Sequence, residues 1–220
     1  MIAVRVISLG ALRNSQLSKL RDCVSSYEVI PAIDGRQIEM SQGELTNRNP
    51  SFNGAKNLSF GEVACSRSHA KALTSFIGLA DANISHCLIL EDDVSHLLPA
   101  EKLITKLNLL CSKLMMSNTL LHCGGMDGMR FERYFKLREK LTYRYLSPIE
   151  AKVLYRACAY VVDINAAKIF RDYLMTEPPV VADDWHHLIR TTSLSIKSCN
   201  LFCHPLDLFQ SALELHRHGK

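Results

Sequence analysis

Apolar positions along the chain switch between two periods, and the switches divide it into elements. "VRVISL" (residues 4–9) is a short stretch rich in branched apolar residues, which predicts a buried first strand. "LRNSQLSKLRDCV" (12–24) spaces its apolar residues as a helix does, and "YEVIPAID" (27–34) returns to strand. "GRQIEMSQGELTNRNPSFNGAKN" (35–57) is polar and rich in turn formers, and is expected to be a long loop. "LSFGEVACSRSHAKALTSFIGLA" (58–80) predicts a helix that opens on a capping box, Ser59 with Glu62 three residues later. "CLILEDD" (87–93) is the next strand, and "AEKLITKLNLLCSKLMM" (100–116) is an amphipathic helix.

The second half repeats the theme. "TLLHCGG" (119–125) reads as a strand ending on a glycine turn, and "YRACAYVVD" (155–163) as another. "NAAKIFRDYLM" (165–175) predicts a helix with Asn165 at its start, and "VVADDWHHLIRT" (180–191) a turn entering a short helix. "LSIKSCNLFCHP" (194–205) is expected to close the sheet. No internal repeat or linker interrupts the series. The pattern predicts a single α/β domain with a mostly parallel central sheet flanked by helices.

Composition narrows the classes. With 47% hydrophobic and 22% charged residues, the 220-residue chain can bury a core and is not of the disordered class. A net charge of +4 with nine His suits an anionic ligand or a membrane-surface encounter. The apolar run at the N-terminus is too short for a signal peptide and no stretch approaches a membrane span, so a cytoplasmic location is expected. Most of the eight Cys sit in apolar runs without a CxxC pair, which points to buried thiols acting as small hydrophobes. "CNLFCHP" offers Cys199, Cys203 and His204 as zinc ligands, but no second half with ligand spacing follows.

"HCLILEDDVSH" (86–96) poses the chemical question, because a buried strand ends on Glu91, Asp92 and Asp93. Two like charges about 4 Å apart repel by about 1 kcal/mol in water and about 4 kcal/mol at a near-surface protein dielectric. Strand alternation sends Glu91 and Asp93 to one side and Asp92 to the other. Two oxygen ligands on one side, completed by water and phosphate, suit Mg²⁺ or Mn²⁺. The alternative is a solvated strand end with a capping Asp.

A second acidic pair, Asp183 and Asp184, follows an apolar stretch and precedes a helix. One can serve as the N-cap, leaving the other to accept a proton from a substrate hydroxyl. Glu62 and His69 share one helix face with Cys65 and Ser66 near the same stripe. Here Glu62 already has a capping role, and a satisfied core histidine would account for His69.

Taken in order, "LSFGEVACSRSH", "LILEDDV", "RACAYVVDINAAKIF" and "VADDWH" resemble glycosyltransferase family 25, which contains the bacterial lipooligosaccharide galactosyltransferases. The opening "VISL" and "IPAIDG" look like that family's first two strands, and the resemblance spans nearly the whole chain. It implies a GT-A-like fold, with a nucleotide-sugar half at about 1–98 and an acceptor half at about 99–220. It also implies transfer of a hexose, often galactose, from a UDP-sugar donor to a glycan or glycolipid hydroxyl, with inversion. Carried onto this chain, Glu91, Asp92 and Asp93 become the counterpart of the DxD metal site for Mn²⁺ or Mg²⁺, and Asp183 or Asp184 the candidate base. Glu62 and His69 match the helix motif near the donor pocket, while Asp34 and Gly35 would lie beside the nucleotide.

His204, after the last strand, would reach the metal or diphosphate as late histidines do in some GT-A enzymes, or else lie on the surface. Departures are an arginine-rich stretch reduced to Arg13 and a tail limited to "HRHGK", so any membrane contact is expected to be peripheral. Residues 130–144 mix cations with aromatics and suit either an acceptor cradle or a solvated helix face, the latter favoured by the interleaved Glu132 and Glu139. No nucleic-acid partner is expected. Competing readings are a two-metal phosphohydrolase or nuclease built on the same acids, and a non-catalytic relative that binds a sugar nucleotide.

Overall fold

The computed structural model describes residues 1–10, 12, 14–39, 58–79, 83–114, 118–124, 144–145, 151, 154 and 156–204. Its first half holds β1 (Ile2–Ser8), a 3-10 segment (Ser15–Cys23), β2 (Tyr27–Pro31) and a 3-10 turn (Gly35–Gln37). Next come α1 (Phe60–Ile77), β3 (His86–Glu91), β4 (Ser95–His96) and α2 (Ala100–Leu114). The second half holds β5 (Thr119–Gly124), β6 (Arg144–Tyr145), β7 (Ala159–Asp163), α3 (Ile164–Leu174), α4 (Trp185–Thr191) and β8 (Ser195–Cys203). The expected long loop lies outside the described residues from position 40 onward, as does the basic stretch 130–143.

One sheet runs in the order β2-β1-β3-β7-β5-β8-β4, with β6 against β8. Its strands alternate between two cores as a pleat demands. Ala3, Ile7, Cys87 and Ile89 face a core that contains Leu73 and Phe76 of α1, Phe170 of α3 and Trp185 of α4. Val4, Val6, Leu88 and Leu90 face the other core, with Leu17 and Leu20 of the 3-10 segment and Leu103 and Leu107 of α2. Helices therefore cover both faces.

The sheet is mixed, which corrects the mostly parallel expectation. β1–β2, β1–β3 and β5–β8 pair in parallel, whereas β3–β7, β5–β7, β4–β8 and β6–β8 are antiparallel. Two of these reversals come from β7, which enters between β3 and β5 from their C-terminal edge and runs back between them, and the other two from the short β4 and β6 laid against β8. Nor does β8 close the sheet, because β4 pairs beyond it. A two-residue strand is too short to show a period.

Local chemistry explains other differences. The first helical stretch is 3-10 rather than α, and its buried Leu17 and Leu20 stand three apart, the 3-10 period. Asp163, not Asn165, caps α3, accepting from the Ala166 N–H at 2.6 Å. The capping box of α1 is present as expected: Ser59 N–H donates to Glu62 Oε2 at 2.8 Å and Glu62 N–H to Ser59 Oγ at 3.2 Å. All eight cysteines are free thiols, five of them buried.

Candidate functional site

Strands β1, β2, β3, β5 and β8 point their C-terminal ends to one edge of the sheet, and the residues entering β7 lie at that same edge. Ligands of open α/β sheets bind beyond such ends. The Glu91 N–H donates to the Cys158 carbonyl at 2.9 Å, tying the end of β3 to the approach of β7.

The acidic triplet splits by side, as alternation requires. Asp92 turns toward the end of β1, where the Ser8 hydroxyl donates to its Oδ2 at 2.5 Å. Glu91 and Asp93 turn the other way and meet His204, which follows β8. Ligand atoms of Glu91, Asp93 and His204 all lie within 4.8 Å of one another, and His204 Nε2 is 3.1 Å from Asp93 Oδ2. Both residues of that pair are buried. Burial by itself would lower the His204 imidazole, but the hydrogen bond it donates to Asp93 and the charges of Asp93 and Glu91 outweigh it and raise its pKa above the ordinary value.

On the other side of Glu91 stands the inner face of α1. His69 Nε2 is 3.3 Å from Glu91 Oε1 and its Nδ1 is 3.1 Å from the Tyr160 hydroxyl. The Cys65 thiol donates to the same Glu91 oxygen at 3.8 Å. Burial, then the charges of Glu91, Asp183 and Asp93, push that thiol well up from its usual value. That one thiol thus feels acids from β3, from its following turn and from the segment before α4.

The two adjacent aspartates divide their work. Asp184 is the N-cap of α4, accepting from the His187 N–H at 3.0 Å, and is 4% exposed. Asp183 is half-buried and its Oδ2 accepts the backbone N–H of Arg156 at 3.0 Å. Arg156 holds a positive φ of 66°, a conformation that non-glycine residues rarely adopt. Its carbonyl meets His122 Nε2 at 2.9 Å and its guanidinium donates to the His204 carbonyl at 3.3 Å. Arg156 therefore links the acidic pair, β5 and the segment carrying His204. Sequence reasoning missed it, because a φ of that sign on an arginine leaves no trace in a string of residues.

The remaining predicted positions carry visible structural duties. Asp34 caps the 3-10 turn and pairs with Arg36. At Gly35 the turn presses against α1, where an added Cβ would meet the Gly61 nitrogen at 2.9 Å. Glu62 closes the capping box. The structure thus brings together Glu91, Asp93, His204 and His69, with Asp183 tied to the His204 segment through Arg156, while Asp92, Asp34, Gly35, Glu62 and Asp184 serve turns, caps and close packing.

With that geometry stands a match along the chain: the profile of glycosyltransferase family 25, described as LPS biosynthesis protein, covers residues 1–185. The chain belongs to glycosyltransferase family 25. Membership makes it a glycosyltransferase of an LPS-biosynthesis family, with a sugar donor and an acceptor as substrates, and sets aside the phosphohydrolase and nuclease readings. No curated protein matches the chain in sequence. Among solved structures it is similar to A197 from STIV, at 12% identity and a TM-score of 0.45, over 94% of this chain and 86% of that one. No helix among the described residues is long and apolar enough to cross a membrane.

Proposed function

We propose that this family member transfers a hexose, galactose being the first candidate, from a UDP-sugar to a hydroxyl of a lipooligosaccharide, lipopolysaccharide or capsular glycan, with inversion and with Mn²⁺ or Mg²⁺ as cofactor. The observation that carries the reading is the meeting of Glu91, Asp93 and His204 at the C-terminal edge of the sheet, with Asp183 tied to the His204 segment through Arg156. Neighbouring ligands of an octahedral ion bound at about 2.0–2.1 Å stand about 3 Å apart. The 3.1 Å edge between His204 Nε2 and Asp93 Oδ2 fits that spacing, and two carboxylates with one imidazole suit Mn²⁺. When bound, such an ion supplies Lewis-acid neutralisation of a leaving diphosphate.

The chain's own residues do the rest. Asp183, half-buried and not committed to a helix cap, is the base that accepts the proton of the acceptor hydroxyl. Asp184 keeps α4, and with it Asp183, in place through its cap. His69, locked between Tyr160 and Glu91, orients the Glu91 carboxylate. Arg156 holds the Asp183 segment against the His204 segment. Asp34, Gly35, Glu62 and Asp92 belong to the nucleotide side of a GT-A-type arrangement, with a donor half at about 1–98 and an acceptor half at about 99–220. A net charge of +4 suits work on an anionic glycolipid at the cytoplasmic membrane face, as a peripheral contact.

The test is a donor screen. Incubation with UDP-galactose and UDP-glucose in Mn²⁺ is expected to release UDP slowly, and EDTA to stop the release. If no UDP-sugar binds in a calorimeter, with metal or without, the reading fails.

A further inference from the structure

Glu91 belongs to two groups of metal-ligating side chains, of which the proposed function uses one. The second consists of Cys65, His69 and Glu91, whose ligand atoms also lie within 4.8 Å of one another. Its composition differs in kind, since a sulfur replaces a carboxylate oxygen. Cys65 and His69 stand four apart on α1 and so project from one helix face, the spacing by which helices present two metal ligands at once. Glu91 reaches them from the end of β3.

Magnitudes favour a tetrahedral ion. Zinc bonds of about 2.3 Å to sulfur and about 2.0 Å to nitrogen or oxygen, at tetrahedral angles, put N and O ligands about 3.3 Å apart and S and O about 3.5 Å apart. Here His69 Nε2 to Glu91 Oε1 is 3.3 Å and Cys65 Sγ to Glu91 Oε1 is 3.8 Å. The imidazole is also supported from behind, with Nδ1 at 3.1 Å from the Tyr160 hydroxyl, the outer contact that metal-binding histidines require. A hydrogen-bond network that only positions Glu91 needs His69 but not the thiol, a weak donor aimed at an oxygen already served by an imidazole.

We propose that Cys65, His69 and Glu91 form a second cation site, selective for thiophilic metals of the Zn²⁺ class and open at its fourth position. Binding replaces the thiol proton, which leaves to solvent, and moves the ring proton of His69 to Nδ1, where it donates to the Tyr160 oxygen. Because Glu91 serves both groups, Zn²⁺ here draws it from Asp93 and His204, and so opposes the metal-dependent transfer. That inhibitory consequence rests on the proposed function; the site itself does not.

Cobalt makes the site visible. Co²⁺ titrated into the chelator-stripped full-length protein is expected to give a thiolate-to-cobalt charge-transfer band in the near ultraviolet, saturating at one equivalent and bleached by Zn²⁺. Cys65→Ser is expected to remove the band, while Cys158→Ser and Asp93→Asn keep it. A wild-type protein without the band, or a band that survives Cys65→Ser, overturns the proposal. A measurement on wild type alone guards against misfolded variants: Zn²⁺ at ten times its dissociation constant should slow alkylation of Cys65 about tenfold, followed by mass spectrometry. An unchanged rate overturns the proposal as well. A band that appears in a protein showing no sugar transfer would leave this site standing and sink the transferase reading alone.

Discussion

His204 Nε2 stands 3.1 Å from Asp93 Oδ2, so the segment after β8 closes against the turn after β3 across the edge of the sheet. A buried and a half-buried acid facing one imidazole make a preformed pocket of negative charge. A cation that binds it only in the folded state must stabilise the fold. At a hundred times its dissociation constant the gain is about 2.7 kcal/mol, or about 5–10 °C in melting temperature for a chain of this size. Mn²⁺ is expected to produce that rise in differential scanning fluorimetry, and Asp93→Ala to abolish it.

The same contact predicts a pH dependence. With Asp93 as its partner, the folded His204 holds its proton to a higher pH than an ordinary histidine. In the metal-free protein its contribution to stability is complete below the unfolded value, about 6.5, and fades as pH rises through the raised folded value. Metal ligation needs the neutral ring, so Mn²⁺ affinity should run the other way and strengthen as pH rises. Calorimetry between pH 6 and 8 checks both signs, and His204→Gln should flatten both curves.

Neighbouring aspartates should fail differently. Asp184→Ala removes a helix cap and is expected to cost about 1 kcal/mol, read as a lower melting temperature. Asp183→Asn should leave donor binding intact and lower transfer by about 10²–10⁴-fold, the usual share of a general base. Equal losses of activity and stability in the two variants would contradict the division of labour.

Gly124 marks where β5 meets β8 at its register shift, with φ at 120° and a would-be Cβ 2.4 Å from the Phe202 carbonyl oxygen. Gly124→Ala therefore has to push two strands apart beside the segment that leads to His204. Overpacking of this kind costs about 1–3 kcal/mol, to which the forbidden dihedral adds. Denaturant unfolding should show at least that loss, accompanied by weaker Mn²⁺ binding.

Much of this was legible in the residues themselves, for identifiable reasons. The capping box at Ser59 and Glu62, the alternation of β1 and β3, and the opposite facing of Glu91 and Asp92 are local rules that a sequence carries in full. The orientation of β7 is not local, since nothing in "AYVVD" states which way it lies between its neighbours. The same limit hid Arg156, whose role comes from a backbone angle and three distant partners. Cys65 was visible on the α1 stripe, but its approach to Glu91 depends on how α1 sits on the sheet. His204 was offered by family resemblance beside a surface reading, and it is set against Asp93 by the pairing of β4 with β8, where Ser95 lies opposite Cys203.

The most direct test is to count bound Mn²⁺ by electron paramagnetic resonance, with and without UDP, in wild type, Asp93→Asn and His204→Ala. The account predicts one Mn²⁺ per wild-type chain, held more tightly when UDP is present, and affinity weakened at least about tenfold in either variant. Wild-type affinity retained by both variants, or Mn²⁺ binding indifferent to UDP, would contradict it.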